Sequence, residues 1–208
     1  MREGRTGPPA VPSPGPYARG MRHRDRVPED QDVRNAGPAG AAHRLVLLRH
    51  AKSAWPDGVP DHDRPLGPRG LRDAPEAGRL LARTCGAPDL VLCSPARRTR
   101  QTWDLAAAEL DRMPRVRHDP RLYAADAQDL LDVVREVPAE VGTLLLVGHN
   151  PGMEELALLL AGAAVGDALE RVRTKFPTSA VAVLSLRGPW SDLGRGTALL
   201  TDVAVPRG

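Results

Sequence analysis

The chain has few cysteines and few lysines for its 208 residues. Cys85 and Cys93 are its only thiols, which excludes the disulfide framework of a small secreted domain and favours a reducing, cytoplasmic setting. Lys52 and Lys175 are its only lysines, so the formal net charge of +3 comes from arginine. Because acidic residues are scattered among these arginines, we expect a solvated surface and no nucleic-acid partner.

Long apolar runs and aromatic side chains are scarce as well. No run reaches the roughly 18 to 20 apolar residues that a membrane-spanning helix needs, so we expect no membrane association. Aromatic residues make up only 3% of the chain, and leucine, valine and alanine must therefore fill the interior. The length suffices for one α/β domain and is too short for two ordinary domains with linkers.

The N-terminal segment is rich in proline, glycine and charged residues and has almost nothing apolar to bury. This composition predicts a disordered tail over residues 1–43, because such a segment cannot offset the entropy that folding would cost. It also lacks the apolar stretch of a secretory signal peptide. We expect the folded domain to occupy residues 44–208.

Beyond the tail, short apolar runs alternate with segments of helical periodicity. The runs predict buried strands at residues 44–48, 89–93 and 143–147, with later strands at 180–186 and 198–205. The helical segments are 70–85, 96–110, 126–137 and 153–160. This alternation predicts an α/β fold, a three-layer α/β/α sandwich with a mostly parallel central sheet.

Polar residues follow three of the predicted strands. Arg49 and His50 follow the first strand, Ser94 and Arg98 follow the second, and His149 follows the third. Because the carboxyl ends of parallel neighbours meet at one edge of a sheet, we expect these side chains to converge. Guanidinium groups match phosphate oxygens in a bidentate way. The sequence therefore predicts an electropositive phosphate pocket at this edge.

The motifs around these residues resemble the histidine phosphatase superfamily, which has a phosphoglycerate-mutase-like fold. They are LLRHAKS, SPARRTRQT and VGHNPG, and their order and spacing match over about residues 44–205. Two further segments, HDRPLGPRG and KFPTSAVAVL, resemble the compact branch that includes bacterial protein phosphohistidine phosphatases. The resemblance implies metal-independent hydrolysis of a phosphomonoester or phosphohistidine, with no cofactor. The implied partner is a phosphorylated small molecule or a phosphohistidine protein.

The resemblance also implies a role for each pocket residue. His50 is the nucleophile that becomes a phosphohistidine, Arg49 and Arg98 hold the phosphoryl oxygens, and His149 completes the catalytic group and contacts the substrate. The motif spacing selects Arg98 over the adjacent Arg97. The chemistry is consistent with this, since the transition state spreads charge over three oxygens that fixed cations stabilise. Nearby arginines should also lower the pKa of His50 and keep its imidazole neutral.

Two other functions use the same residues. Carboxylates and a histidine after the nucleophile could join His50 and His149 in a metal-dependent phosphoesterase; they are Asp57, Asp61, His62 and Asp63. The arginines disfavour this alternative because they would repel a dication. A phosphate-binding module without turnover is the other alternative, and the presence of His50 weakens it.

Several residues near the motifs have simpler explanations. Ser94 precedes a proline, so we favour a helix cap over a phosphate ligand, and Asn150 has the same interpretation. Trp103 has the helical spacing of a core residue. The segment after Arg121 lacks the glutamate that protonates alcohol leaving groups in phosphoglycerate-mutase-like enzymes, which leaves Asp119 and Asp126 as the nearest carboxylates.

Overall fold

The computed structural model describes Met1 and residues 43–207. Apart from Met1 and His43, the tail predicted over residues 1–43 lies outside the described residues. His43 belongs to the domain, because it is the first residue of the first strand.

A mixed seven-stranded sheet forms the centre of the part that the structure describes. Its strands are β1 (His43–Arg49), β2 (Leu90–Cys93), β3 (Arg115–His118), β4 (Thr143–Gly148), β5 (Ala161–Ala164), β6 (Val181–Leu186) and β7 (Ala198–Ala204). The α-helices in the same range are α1 (Pro68–Thr84), α2 (Arg97–Ala107), α3 (Ala127–Arg135), α4 (Gly152–Leu160) and α5 (Ala168–Thr174). None of them is long and apolar enough to cross a membrane.

The strand order is β3-β2-β4-β1-β6-β7-β5. Strands β3, β2, β4 and β1 pair in parallel, whereas β6 is antiparallel to both β1 and β7, and β5 pairs parallel to β7. In the register of the parallel strands, Val147 of β4 lies between Leu48 of β1 and Cys93 of β2. The carboxyl ends of β1, β2 and β4 are therefore level, and the residues that follow them share one edge.

Two hydrophobic layers cover the two faces of the sheet. Leu45 and Leu47 of β1 pack in one cluster with side chains of α3, α4 and α5, while Val46 and Leu48 pack in the other with side chains of α1 and α2. All four strand residues are fully buried. This alternation follows from the two-residue period of a strand and confirms the predicted three-layer, mostly parallel α/β sandwich.

Two strands and one α-helix of the described residues were not predicted from the sequence. Strand β3 has the sequence RVRH and is exposed throughout, so it lacks an apolar pattern. Strand β5 has the sequence AGAA, which contains none of the branched side chains that favour strands. Helix α5 is seven residues long and buries only Ala168 and Val172. Contacts with neighbouring elements stabilise all three. The residues of each element alone do not show which neighbour it will contact.

Candidate active site

Arg49 and His50 are held at the end of β1 by the two strands on either side of it. The His50 N–H donates to Gly148 O of β4 at 3.0 Å, and the Arg49 N–H donates to Ala180 O, just before β6, at 3.0 Å. From the β6 side, the Ser179 N–H donates to Arg49 O at 3.2 Å. The backbone of the two residues is therefore an extension of the sheet, and their side chains project from a rigid base.

The imidazole of His50 has a defined tautomer. Its Nδ1 lies 2.7 Å from Ala51 O, and a carbonyl oxygen only accepts hydrogen bonds, so Nδ1 carries the proton. Nε2 is left with its lone pair. The Ala51 peptide is itself fixed, because its N–H donates to Thr102 Oγ1 of α2 at 3.0 Å. A neutral His50 in this position is ready to act as a nucleophile through Nε2.

Burial keeps His50 neutral. The pKa of His50 is lowered to about 4: burial is the largest cause, the hydrogen bond to Ala51 opposes it, and the charges of Arg98 and Arg49 add to it. The arginines, which were expected from the sequence to lower this pKa, are the smaller cause. The structure shows that loss of water around a nearly buried ring is the larger cause.

His149 follows β4 and faces His50, with 5.2 Å between the two ring centroids. Its Nε2 lies 2.8 Å from Ser94 Oγ, and its Nδ1 is buried without a hydrogen-bond partner. Burial, followed by the proximity of His50 and Arg98, lowers the pKa of His149 to about 3. A neutral imidazole with one unpaired nitrogen is therefore available to a ligand.

The preference for Ser94 as a helix cap was wrong. Helix α2 begins at Arg97, its N-cap is Ala96, and no side chain caps it. The Ser94 hydroxyl is fully buried against His149 instead. A serine before a proline looks the same in the sequence whether it caps a helix or contacts another side chain. The position at which α2 begins was needed to distinguish the two roles.

The side chain of Arg98 is buried and its charge acts on both imidazoles, whereas Arg97 is exposed. That Arg98 holds the phosphoryl oxygens stays a prediction. The guanidinium of Arg98 is buried and donates twice to Asp61, from Nη1 to the backbone oxygen at 2.6 Å and from Nη2 to Oδ2 at 3.0 Å. A buried cation held by two hydrogen bonds is fixed in orientation before any ligand arrives.

Asp61 connects Arg98 to two further residues. Its carboxylate accepts hydrogen bonds from the Tyr123 hydroxyl at 2.8 Å and from Arg64 Nη1 at 2.7 Å. The hydrogen bond from Tyr123, then those from the two arginines, hold the pKa of Asp61 well below its usual range. The ring of Tyr123 also meets His149 edge-on, with 5.6 Å between centroids. The sequence analysis did not assign Tyr123 and Arg64 to the site.

The role considered for Asp61 as a metal ligand does not fit this geometry. Its oxygens face two guanidinium groups and a phenol, which are hydrogen-bond donors. In residues 43–207, no group of three histidine, cysteine, aspartate or glutamate side chains is arranged to hold a metal ion. The donors around this carboxylate indicate that it positions Arg98.

Arg49 is held more loosely than Arg98. Its Nη1 donates to Phe176 O at 2.6 Å, and its Nε is buried without a partner. The amide of Asn150 donates to Glu154 Oε2 at 2.7 Å and to the same Phe176 oxygen at 3.1 Å. Asn150 therefore does not cap α4, whose N-cap is Pro151. It links Arg49 and the loop before β6 to the helix.

Neither carboxylate considered as a general acid is free to serve as one. Asp126 caps α3 by accepting from the N–H groups of Gln128 and Asp129 at 2.8 and 2.9 Å. Asp119 accepts from Arg121, which helps to hold its pKa below the usual value. Both groups have structural partners away from the two imidazoles.

Two imidazoles and two guanidiniums at the carboxyl edge of a parallel sheet are typical of an enzyme that acts on phosphoryl groups. Comparison with known families agrees: the histidine phosphatase superfamily (branch 1) matches residues 45–185. The chain belongs to this superfamily, and the predictions of a phosphatase and of its fold are confirmed.

Individual relatives place the chain near the compact branch. An uncharacterized protein of Mycobacterium tuberculosis is 47% identical over 162 residues, which cover 77% of this chain and 100% of that protein. The structure of a candidate phosphohistidine phosphatase SixA from Nakamurella multipartitia is 37% identical, with a TM-score of 0.71, and covers 82% of this chain and 99% of its own. The corresponding protein from Agrobacterium tumefaciens is 33% identical, with a TM-score of 0.67, and covers 79% and 98%. The chain is thus a SixA-like histidine phosphatase.

Proposed function

We propose that the protein hydrolyses a phosphohistidine or a phosphomonoester with a good leaving group, without a metal, through a phosphoryl group carried on Nε2 of His50. One observation carries this proposal: the hydrogen bond from His50 Nδ1 to Ala51 O at 2.7 Å. It leaves the Nε2 lone pair unprotonated in a pocket that contains Arg49 and Arg98.

In the first step, the Nε2 lone pair of His50 forms a bond to phosphorus. The bond from phosphorus to the leaving oxygen or nitrogen breaks, and the leaving group takes the electron pair. Negative charge is spread over the three remaining phosphoryl oxygens, and Arg49 and Arg98 donate hydrogen bonds to them. Preorganised donors of this kind stabilise a transition state because they need no reorientation during the reaction.

His149 supplies a further donor through its Nδ1. The oxygens of a phosphoryl dianion only accept hydrogen bonds, so a bound substrate favours the tautomer with a proton on Nδ1. Nε2 is then an acceptor, and the Ser94 hydroxyl at 2.8 Å donates to it. Ser94 thus positions His149 and selects its tautomer, as the partner of one ring nitrogen does in many sites.

In the second step, a water molecule attacks the phosphohistidine. An oxygen–phosphorus bond forms, the bond between phosphorus and Nε2 breaks, and the electron pair returns to the ring. Inorganic phosphate leaves, and the surplus proton of the water passes to phosphate or solvent. His50 returns to the neutral form with the proton on Nδ1, ready for another cycle.

Among the described residues, Asp61, Asp119 and Asp126 are not available as a general acid, which restricts the substrate. Asp119 and Asp126 have structural partners, and the lowered pKa of Asp61 keeps it ionised at neutral pH. A leaving group must therefore depart without a proton from a carboxylic acid, which forgoes a contribution of about 10²- to 10⁴-fold. Phosphohistidine and aryl phosphates tolerate this loss better than alkyl phosphates.

The test is turnover of an aryl phosphate by purified protein, with and without a chelator and vanadate, beside a His50→Ala control. We expect activity that survives the chelator, is inhibited by vanadate, and is lost in the control. A quenched reaction should contain an acid-labile phosphoryl adduct at His50. Activity that a chelator abolishes and zinc or manganese restores would support the metal-dependent alternative, and phosphate binding without turnover would support a binding module.

A second measurement tests the substrate class. Across phosphate esters of graded leaving-group pKa, kcat/KM should fall steeply as that pKa rises. Asp126→Ala should leave the slope unchanged, because Asp126 caps α3. A flat dependence in the parent that steepens in Asp126→Ala would show that this carboxylate is the acid after all.

A further inference from the structure

A second basic cavity adjoins the candidate active site. It has a volume of about 340 Å³, and we call it the lysine cavity because both lysines of the chain line it. Five of its lining side chains are cationic: Arg49, Lys52, Arg69, Lys175 and Arg207. Arg49 belongs to this cavity and to the pocket around His50, so the two spaces are neighbours.

Two of the arginines are anchored on the loop before β6. Arg69 Nη2 donates to Thr178 Oγ1 at 3.1 Å, and Arg207 Nη1 donates to Thr178 O at 3.2 Å. Both also lie near the buried carboxylate of Asp73, at 3.5 and 3.7 Å. Asp73 therefore offsets part of their charge, and the two guanidiniums form the fixed wall of the cavity.

The two lysines carry the charge that is not offset. In the part of the chain that the structure describes, neither ammonium group forms an ion pair with a carboxylate. The backbone at Lys52 is rigid, because its carbonyl accepts from the Gly67 N–H at 2.8 Å, and a side chain at Gly70 would overlap that carbonyl. Lys52 is thus an exposed cation on a fixed base, two residues after His50.

The neighbouring surface restricts where an anion would lie. A larger cavity of about 480 Å³ shares Lys175, Pro177 and Arg207 with the lysine cavity and also carries Asp167 and Glu170. Arg171 also lines the larger cavity, and the two carboxylates make that cavity less favourable for an anion than the lysine cavity. The lysine cavity has no carboxylate among its lining residues, so an acidic group is most stable there.

We propose that the lysine cavity is a subsite for a second acidic group, a carboxylate or a second phosphate, on a small phosphorylated substrate. The inference rests on the proposed function, since the transferred phosphoryl group occupies the adjoining pocket around His50. A small molecule is favoured because the cations surround a concavity of about 340 Å³, which is within the size range of small-molecule pockets. An acidic protein surface would need cations spread over a broad face.

The experiment compares matched substrates in matched variants. The substrates are phenyl phosphate, 3-carboxyphenyl phosphate and benzene-1,3-diyl bisphosphate, and the measurement is kcat/KM of each acidic compound relative to phenyl phosphate. We expect this ratio to fall about 10-fold or more in the double variant Lys52→Ala with Lys175→Ala, on the scale of losing hydrogen bonds to a charged group. Lys175→Arg with the native Lys52 should keep the ratio.

A charge control excludes a general electrostatic effect. Arg115→Ala removes one exposed cation from β3, at the sheet edge farthest from β6, and should leave the ratio unchanged. Equal ratios in the parent and the double-lysine variant would overturn the inference. So would a double-lysine variant that loses activity only toward a phosphohistidine protein, because the cavity would then recognise a macromolecule.

A binding measurement separates this inference from the proposed function. Calorimetry with His50→Ala compares the affinity of phenyl phosphate with that of benzene-1,3-diyl bisphosphate, and needs no turnover. The bisphosphate should bind more tightly, and the two lysine substitutions should remove its advantage. A parent that binds both compounds but turns over neither would contradict the proposed function alone, whereas equal affinities would contradict the subsite.

Discussion

The two halves of the sheet contribute differently to the site. In the parallel half, β1, β2 and β4 end at one edge, and the residues that follow them provide the two imidazoles, Arg98 and Ser94. In the antiparallel half, β6 runs the other way, so that its first residue, Val181, lies opposite Leu48 at that edge. The loop before β6 orients Arg49 through backbone groups: Phe176 O accepts from the Arg49 guanidinium, and the Ser179 N–H donates to Arg49 O.

Strand direction therefore decides whether a strand contributes side chains or backbone groups to the site. Parallel strands bring the starts of several loops together, and each loop can supply a reactive side chain. The antiparallel strand supplies a fixed backbone that orients them. We therefore expect side-chain substitutions after the parallel strands to affect turnover, and substitutions within the antiparallel half to affect stability.

The largest effect is expected for His50→Ala at the end of β1. Loss of the nucleophile should lower kcat for an aryl phosphate by at least about 10⁴-fold. The circular dichroism spectrum and melting temperature should stay close to those of the parent, because the His50 side chain contributes little apolar contact. Turnover within 10-fold of the parent in a well-folded variant would show that His50 is not the nucleophile.

Arg98→Ala should lower kcat by about 10²- to 10³-fold, the scale of removing one preorganised donor. Arg97→Ala is the matched control, since it deletes an exposed guanidinium from the adjacent residue. We expect its kcat within about twofold of the parent, as for most surface substitutions. Steady-state kinetics of the two variants, measured side by side, decide which arginine acts in the site. A larger loss in Arg97→Ala than in Arg98→Ala would show that the assignment of Arg98 is wrong.

Asp61→Asn and Tyr123→Phe should each lower kcat by about 10-fold, because a loosened Arg98 is displaced from its working position. Neither side chain is proposed to contact the reacting atoms. Their effect should therefore disappear in an Arg98→Ala background, where nothing remains to be positioned. Additive losses in the double variants would mean that Asp61 or Tyr123 acts directly on the substrate.

The pH dependence should be small over the range in which free histidines titrate. Since the pKa of His50 in the folded protein is lowered to about 4, the neutral nucleophile persists. After correction for the second ionisation of the phosphate ester at about pH 6, kcat/KM should change less than about twofold between pH 7 and pH 5. Unfolded histidines accept protons below about pH 6.5, so the free energy of unfolding should fall as the pH drops from there toward 4. Denaturant titrations at several pH values measure this. A limb of activity at about pH 6.5 that remains after the correction for substrate ionisation would contradict the buried, neutral His50.

Leu184→Ala in β6 should have the smallest effect on turnover. This fully buried side chain lies beside Leu45 of β1, and its truncation should lower the free energy of unfolding by about 2 to 5 kcal/mol. The kcat per folded molecule should stay within about twofold, since the antiparallel half supplies no reacting side chain. A specific loss of kcat in the folded variant would show that this half does more than orient the backbone.

The sequence predicted the five inner strands of the sheet and missed its two edge strands, β3 and β5. The four consecutive apolar residues Leu45–Leu48, all buried, indicate that β1 is a strand covered on both faces, and the Arg-His pair that follows them indicates the site. In contrast, β5 consists of alanine and glycine, and its position next to β7 depends on pairing that its own side chains do not encode. A local hydrophobic pattern predicts an element only when the side chains of that element are themselves the apolar residues that become buried.

The same limit applies within the site. Arg98 and His149 belong to motifs that can be recognised along the chain, but the contacts that fix them join distant segments. Asp61 is 37 residues from Arg98 and 62 from Tyr123, so their network exists only in the folded chain. Arg64 stands only three residues after Asp61 in the sequence, yet nothing there indicated that Asp61 would also meet Arg98.

Strand β3 has a consequence for the behaviour of the protein in concentrated solution. As an edge strand it presents unpaired backbone groups, which are a template for adding a strand from another molecule. All four of its residues are exposed, and two of them, Arg115 and Arg117, are arginines. A second copy aligned along this edge would bring like charges into register and would be repelled. The arginines of β3 are one reason why the sequence showed no hydrophobic pattern there. The same arginines protect the sheet from edge-to-edge aggregation.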